Sequence, residues 1–213
     1  MILLFPTVAS AQKTCLYKTY DKQTLRVLER SRVRFDHSQP GVIQAAFEQG
    51  ISDDYPQKEE YIFDKDYKTL RWSVKNSQTS TDYTGSKEGK KIILKGTFNN
   101  KPISKELPID DTGPFYAFPK IELTPFVLSD KKKLLFWAMR NDTLEVYKMI
   151  ATPQGEEKII VNGKMVNAKK VYWSPVNPLF RIFQRTYYYR ASDGIFLKQE
   201  YPDGRVRELV GEE

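Results

Sequence analysis

Hydrophobic and polar residues alternate along most of the chain. In the segment 70–75, Leu70, Trp72 and Val74 fall on one face and the polar side chains fall on the other. Residues 92–98 show the same alternation, with Ile92, Leu94 and Phe98 on one side. A period of two is typical of antiparallel strands that have one covered face and one face in water. The pattern therefore predicts a mainly β protein.

Turn residues separate the alternating segments in the second half of the chain. Asn162-Gly163 is the strongest of these signals, because both central positions of a tight hairpin turn favour a positive φ. Ser192-Asp193-Gly194 and Pro202-Asp203-Gly204 mark two further turns. These spacings predict a meander of antiparallel strands from residue 158 to residue 210.

One segment departs from the alternation. Ser129 or Asp130 is a suitable N-cap, and three lysines and a largely apolar run follow it. We therefore predict one short helix at about 129–140, with its apolar half buried against the sheet. The prolines at positions 114, 119 and 125 predict that residues 112–125 form a long crossing loop before this helix.

These elements predict a strongly curved antiparallel sheet or an open barrel with one short helix, in a single β-rich domain that spans residues 12–213. Residues 1–11 carry no charge and end in Ala9-Ser10-Ala11, which has the small-x-small form of a signal-peptidase site. We interpret residues 1–11 as a signal-peptide remnant and predict an exported protein. No other stretch approaches the ~18 apolar residues of a membrane span, so no span is predicted.

The composition narrows the possible chemistry. The net charge of +7 is spread along the chain, with one basic run at Lys131–Lys133, whereas nucleic-acid-binding proteins concentrate basic residues on one face. The single cysteine and the single histidine exclude an intrachain disulfide and a Cys/His zinc site. His37 is followed by a Pro-Gly turn, which favours a solvated turn residue over a catalytic base. We therefore predict no nucleic-acid partner, no metal or other cofactor, and no enzymatic activity.

Aromatic residues are concentrated on the predicted strands. Alternation places Phe183, Arg185, Tyr187 and Tyr189 on one face of a strand. These aromatic residues either pack a core or line a concave sheet that binds an apolar ligand. Under the second interpretation, Arg185 is placed to meet a polar head group. The candidate ligand-binding residues are Trp72, Trp173, Phe183, Arg185, Tyr187 and Tyr189.

The segment from Leu128 to Leu209 carries a resemblance. It contains a Leu-Ser-Asp turn, an apolar run ending in Arg140, the Asn-Gly hairpin, a Tyr-rich strand and the Ser-Asp-Gly turn. In these features it resembles a group of uncharacterised exported β-sheet proteins of Gram-negative bacteria, catalogued as a domain of unknown function. The predicted curved sheet with a plugging helix is also distantly similar to the half-barrels of periplasmic lipoprotein carriers. The resemblance implies a fold and a compartment, and it brings no catalytic residues.

The favoured function is a non-catalytic periplasmic protein that binds an apolar or amphiphilic, lipid-like ligand in the concave face of the sheet. One alternative is a cell-envelope scaffold or assembly protein that acts through protein–protein contacts, and a third is an enzyme of unknown type. A carrier needs an apolar cavity of roughly a few hundred Å³. A scaffold instead has a filled core with an exposed apolar patch or strand edge. An enzyme has convergent ionisable groups in a cleft.

Overall fold

The computed structural model describes residues 12–51, 55–179 and 184–213, and its strands form one large sheet. The strands are β1 (Lys13–Asp21), β2 (Val27–Asp36), β3 (Val42–Gly50), β4 (Gln57–Asp64), β5 (Thr69–Asn76), β6 (Thr81–Glu88), β7 (Lys91–Phe98), β8 (Lys101–Pro108), β9 (Phe115–Tyr116), β10 (Leu134–Arg140), β11 (Glu145–Val161), β12 (Lys164–Pro175), β13 (Arg185–Arg190), β14 (Phe196–Glu200) and β15 (Arg205–Glu212). The helices are α1 (Pro119–Glu122) and α2 (Thr124–Val127). The predicted signal segment 1–11 and the candidate residue Phe183 lie outside the described residues.

The strand order is β8-β7-β6-β5-β4-β3-β2-β1-β15-β14-β13-β12-β11-β10-β9. Neighbouring strands are antiparallel, except that β9 and β10 are parallel. The first and last strands therefore meet in the middle of the sheet, and an arm of sequential strands extends to each side. The two edges, β8 and β9, do not pair with each other, so the sheet is an open barrel. The mainly β fold that the alternation predicts is confirmed.

The predicted turns are confirmed. Asn162 and Gly163 have φ values of 48° and 74° and connect β11 to β12. Gly194 and Gly204 also have positive φ values, of 70° and 85°, in the turns before β14 and β15. Because a positive φ costs little for asparagine and glycine, these residues fix where each strand reverses.

The predicted helix at about 129–140 is wrong, because residues 134–140 form strand β10. This run appears apolar on all sides because both faces of the strand are covered. Phe136 points into the core, whereas the indole N–H of Trp137 donates a 3.0 Å hydrogen bond to the Asp110 carboxylate on the other face. The Lys148 ammonium lies 5.7 Å from the centre of the Trp137 ring and also binds Asp110.

The short helical elements lie instead within the predicted crossing loop. Pro119 and Pro125 occupy the first turns of α1 and α2, where the missing N–H of proline carries no cost. Each helix has four residues, far short of the about 20 that a membrane-spanning helix needs.

Residues 109–128, which we name the plug segment, run along the inner face of the curved sheet. The ring of Phe118 lies 5.0 Å from that of Tyr61 and 5.2 Å from that of Phe47, on strands β4 and β3. The ring of Phe115 lies 5.3 Å from that of Trp72 on β5. The segment buries Ile109, Phe115, Tyr116, Ala117, Phe118, Ile121, Glu122, Leu123, Phe126 and Val127. The chain itself therefore fills much of the concave face.

A cluster of buried hydrogen bonds joins the plug segment to β5. Glu122 is fully buried, and its carboxyl group accepts a 2.5 Å hydrogen bond from the backbone N–H of Phe118 and another from the hydroxyl of Thr69. The Thr69 hydroxyl in turn accepts a 2.9 Å hydrogen bond from the backbone N–H of Ala117. Burial raises the pKa of Glu122 well above its usual range, although these donors offset part of the effect.

The outer edge strand β8 carries Pro102 and Pro108. The two prolines are an even number of residues apart, so their backbone nitrogen atoms face the same side of the strand. Proline has no N–H to donate to a partner strand. The edge is therefore poorly suited to pairing with another chain, which is a common protection against edge-to-edge association.

Candidate functional site

Two adjoining cavities lie beside strands β10–β13, and the plug segment lines the smaller of the two. The larger, which we name the mouth cavity, has a volume of about 470 Å³. The smaller, the inner cavity, has a volume of about 210 Å³ and lies between the plug segment and strands β3 and β4. The two cavities share the wall residues Met139, Asn141, Trp173 and Tyr187. They are therefore neighbouring compartments.

Aromatic and methionine side chains form the apolar wall of the mouth cavity. The ring of Trp173 lies 5.0 Å from that of Tyr187 and 5.7 Å from that of Phe136. Met139 and Met149 complete this wall. The indole Nε1 of Trp173 is buried and has no hydrogen-bond partner among the described residues.

The structure brings together three of the six sequence-predicted site residues. Trp173, Arg185 and Tyr187 all line the mouth cavity. The Arg185 guanidinium lies 5.8 Å from the centre of the Tyr201 ring on the same wall. The strand parity that places Arg185 and Tyr187 on one face is therefore correct.

The other candidates lie elsewhere or are outside the described residues. Tyr189 shares the inner face but is fully buried behind the cavity wall, with its ring 5.9 Å from that of Phe196. Trp72 lies in the other arm of the sheet, on β5, and packs against Phe115 of the plug segment. Phe183 is not among the described residues.

Arg207 is a site residue that the sequence analysis missed. It lines the inner cavity from the central strand β15, and its guanidinium is engaged on several sides. Its Nε donates a 3.0 Å hydrogen bond to the Thr19 hydroxyl, and its Nη2 binds the Glu29 carboxylate and, at 3.2 Å, the Gln49 side-chain oxygen. Gln49 also donates a 2.7 Å hydrogen bond to Glu29. The charge of Arg207 is therefore neutralised within the protein.

Lys120 is the second missed residue, and its environment is different. It lines the inner cavity, and also a separate cavity of about 210 Å³ beside β1. Its ammonium lies 5.7 Å from the centre of the Phe118 ring, and no carboxylate in the described part of the chain lies within 4.0 Å of it. Burial lowers the pKa of Lys120 well below its usual range, and nearby Arg207 adds to this shift.

Glu59 also lines the inner cavity, but its carboxyl group is occupied. It accepts hydrogen bonds from the Tyr61 hydroxyl and from the Gln57 side chain. Burial raises the pKa of Glu59. The inner cavity therefore holds one carboxyl group and one guanidinium that already have partners, and one amine that has none.

A larger depression of about 900 Å³ lies on the outer face of β2–β7. Its walls carry charges of both signs, including Arg34, Glu60, Arg71 and Lys95, together with the apolar side chains of Phe35, Ile62, Ile93 and the candidate residue Trp72. Aromatic and methionine side chains make up a greater share of the walls of the mouth cavity, which makes that cavity the better site for an apolar ligand.

The described residues contain no group of three or more His, Cys, Asp or Glu side chains that is arranged to hold a metal ion. His37 is exposed in the turn that follows β2, as the sequence predicts. Cys15 is fully buried in β1, and burial raises the pKa of its thiol, which keeps it protonated and unreactive.

Comparison with solved structures shows the fold. The chain is similar to a β-barrel-like protein of domain of unknown function DUF1849 from Brucella abortus, with a TM-score of 0.60 and 13% identity over 95% of this chain and 97% of that chain. The expected resemblance to such a group is therefore confirmed at the level of the fold.

Two further solved structures superpose less well. They are the hypothetical lipoprotein YmcC from Escherichia coli (TM-score 0.40, 10% identity, 94% of this chain and 84% of that chain) and a protein with a YmcC-like fold from Bacteroides fragilis (TM-score 0.33, 10% identity, 94% and 95%). No protein-family model matches the chain, and no curated protein sequence matches it.

Proposed function

We propose that the protein is a non-catalytic binding protein that takes up the apolar part of a small amphiphilic ligand in the mouth cavity. The observation that carries this proposal is the wall of Met139, Met149, Trp173 and Tyr187 around a volume of about 470 Å³. This volume falls within the range of about 300–1,000 Å³ that is typical of small-molecule sites. Methionine side chains adapt to ligands of different shape, which suits a site for flexible chains.

The plug segment limits the size of the ligand. Because Phe115, Phe118 and Phe126 are buried against the sheet, the concave face does not offer one continuous lipid-sized chamber. The proposed ligand is therefore a small, single-chain molecule that fits beside the plug segment.

A scaffold of the cell envelope is the second candidate. The filled concave face favours it, because a protein that acts only through its surface needs no internal cavity. The prolines of edge strand β8 argue against partner binding by strand addition at that edge. Ligand uptake is therefore the property that separates the two candidates.

A titration with the neutral apolar fluorophore N-phenyl-1-naphthylamine tests the binding function. We expect saturable binding to the wild-type protein with a fluorescence increase. Asn141→Trp is expected to weaken this binding by about tenfold or more, because residue 141 lines both cavities and a bulky ring there fills them.

Asn167→Trp is the matched control, since Asn167 is exposed on β12 and lines neither cavity. Its affinity for the fluorophore is expected to equal that of the wild type. Wild-type protein that shows no saturable binding, or equal losses in the two variants, would contradict ligand uptake and favour the scaffold.

We also propose that the protein is exported to the periplasm, which the Ala9-Ser10-Ala11 pattern supports. Expression together with its upstream region in a Gram-negative host is expected to yield a periplasmic protein whose intact mass begins at Gln12. Ala11→Arg is expected to block this processing. An uncleaved chain in the cytoplasmic fraction would refute export.

A further inference from the structure

We propose that Lys120 recognises an anionic head group, and that the ligand is therefore a single-chain amphiphile with a carboxylate, phosphate or sulfonate head. This inference rests on the proposed function above, in which the mouth cavity takes up the apolar chain. It assigns the inner cavity to the head group.

The geometry places the two parts of such a ligand in adjoining compartments. Lys120 lines the inner cavity, and that cavity shares Met139, Asn141, Trp173 and Tyr187 with the mouth cavity. A chain that lies along the methionine and aromatic wall therefore directs its head group past Trp173 towards Lys120.

The hydrogen-bond partners of the charged side chains in the inner cavity indicate the charge of the ligand group that this cavity takes. Arg207 and Glu59 are engaged by protein side chains, whereas the Lys120 ammonium has no hydrogen-bond partner, and no carboxylate within 4.0 Å, among the residues that the structure describes. Lys120 is half-buried, and the loss of hydration around its ammonium outweighs the attraction of Glu29 and Glu59. An anionic head group with acceptor oxygens supplies the partner that this cation lacks.

Charged groups face Lys120 from several elements, and most of them are already paired. Glu29 of β2 binds Arg207 of β15, and Glu59 of β4 is bound by Tyr61 and Gln57. On the side of the second cavity, Asp193 binds Arg190 and lies 4.0 Å from the Lys13 ammonium. The remaining groups on these sides are Arg185, His37, Cys15, Tyr17, Tyr67 and Tyr187.

Proton uptake follows from this arrangement. Burial and Arg207 lower the pKa of Lys120 in the free protein, and Glu29 and Glu59 offset part of this shift. A bound anion favours the ammonium and raises this pKa again. Binding of an anionic ligand therefore takes up a proton, and its affinity falls as the pH rises through the range in which the free Lys120 loses its proton.

Competition against bound N-phenyl-1-naphthylamine tests the head-group preference. The probes are 1-decanesulfonate, whose head stays ionised, neutral 1-decanol and decyltrimethylammonium, each below its micelle concentration. We expect decanesulfonate to bind about tenfold or more tightly than decanol, and the cation to bind most weakly. The affinity for decanesulfonate is expected to decrease as the pH rises through the range in which the free Lys120 loses its proton, while that for decanol stays constant.

Lys120→Met separates the amine from its alkyl chain. We expect this variant to bind decanol as the wild type does, to lose about tenfold or more of its affinity for decanesulfonate, and to lose the pH dependence. Lys131→Met is the control, because Lys131 is exposed and lines none of these cavities, and it is expected to behave as the wild type. Decanesulfonate binding that is unchanged in Lys120→Met would refute the inference and leave the apolar site intact.

Calorimetry on the wild-type protein provides a test that does not depend on a variant's folding. The binding enthalpy of decanesulfonate is measured in two buffers with different ionisation enthalpies. At a pH within the range over which the affinity for decanesulfonate changes, net proton uptake is expected for decanesulfonate and none for decanol, and zero uptake with both would refute the role of Lys120. Competition by sodium sulfate as strong as that by decanesulfonate would identify a small free anion and overturn the amphiphile assignment. Failure of decanol and the fluorophore to bind at all would instead refute the proposed function.

Discussion

Replacing Glu122 by alanine is expected to lower the free energy of unfolding by roughly 3–5 kcal/mol. The substitution removes the acceptor for the backbone N–H of Phe118 and for the Thr69 hydroxyl, both of which are buried. It also leaves a cavity where the fully buried side chain of Glu122 packed. Chemical denaturation monitored by circular dichroism measures the change.

Two companion variants identify the cause. Thr69→Val removes the partner hydroxyl and is expected to cost roughly 1–3 kcal/mol, and the double variant is expected to cost less than the sum because both residues belong to one cluster. Glu106→Ala, on the exposed face of β8, is expected to cost less than about 1 kcal/mol, since its ion pair with Lys91 lies in solvent. A Glu122→Ala protein as stable as Glu106→Ala would show that the cluster does not hold the plug segment.

Gly85→Ala is expected to lower the free energy of unfolding by roughly 2–3 kcal/mol. A Cβ atom at residue 85 would lie 2.2 Å from the Cζ2 atom of Trp72, which is far too close for van der Waals contact. The indole ring of Trp72 is buried between this glycine and Phe115 of the plug segment, so it has to move against a packed core. Denaturant unfolding gives the loss in stability, and tryptophan fluorescence reports the displaced ring.

Gly211→Ala is the matched control in another strand. A Cβ atom there would lie 3.4 Å from the Leu16 side chain, which is ordinary contact, and the backbone at Gly211 does not have a positive φ. Its stability is expected to stay within about 1 kcal/mol of the wild type. Equal losses of stability at positions 85 and 211 would show that the packing of the Trp72 ring does not require a glycine at residue 85.

The strands were predictable because their information is local. Alternation around Trp72 and Val74, and the positive φ that Asn162-Gly163 favours, depend on neighbouring residues alone. The sequence predicts a helix at 129–140 because the run is apolar on both sides, which a strand with one face in water would not be. The residues that cover its outer face, Lys148 and Asp110, come from other parts of the chain. The pairing of β1 with β15, and the path of the plug segment, depend on contacts between residues far apart in the sequence. No local pattern predicts these contacts.

The same distinction between local and long-range information separates the site residues that the sequence predicts from those that it does not. Trp173, Arg185 and Tyr187 were found because strand parity places them on the inner face. Lys120 and Arg207 were missed because their special character arises from burial and from the presence or absence of partners. In the sequence Lys120 is one of many lysines, and its only local signal is its position within the apolar run of the plug segment. That signal is too weak to separate it from a lysine on a surface loop.

The meeting of β1 and β15 in the middle of the sheet has a consequence for the order of folding. Each arm is built from strands that are neighbours in the sequence, so its hairpins close over short loops and form rapidly. The contact between the arms joins residues such as Thr14 and Glu213, whose backbone groups exchange two hydrogen bonds of 2.9 Å. Closing so long a stretch of chain carries a large entropic cost and comes late. During synthesis, the arm from β1 to β8 therefore exposes the edge of β1 until the last strand arrives, which makes this interval the one in which the nascent chain is most prone to aggregation.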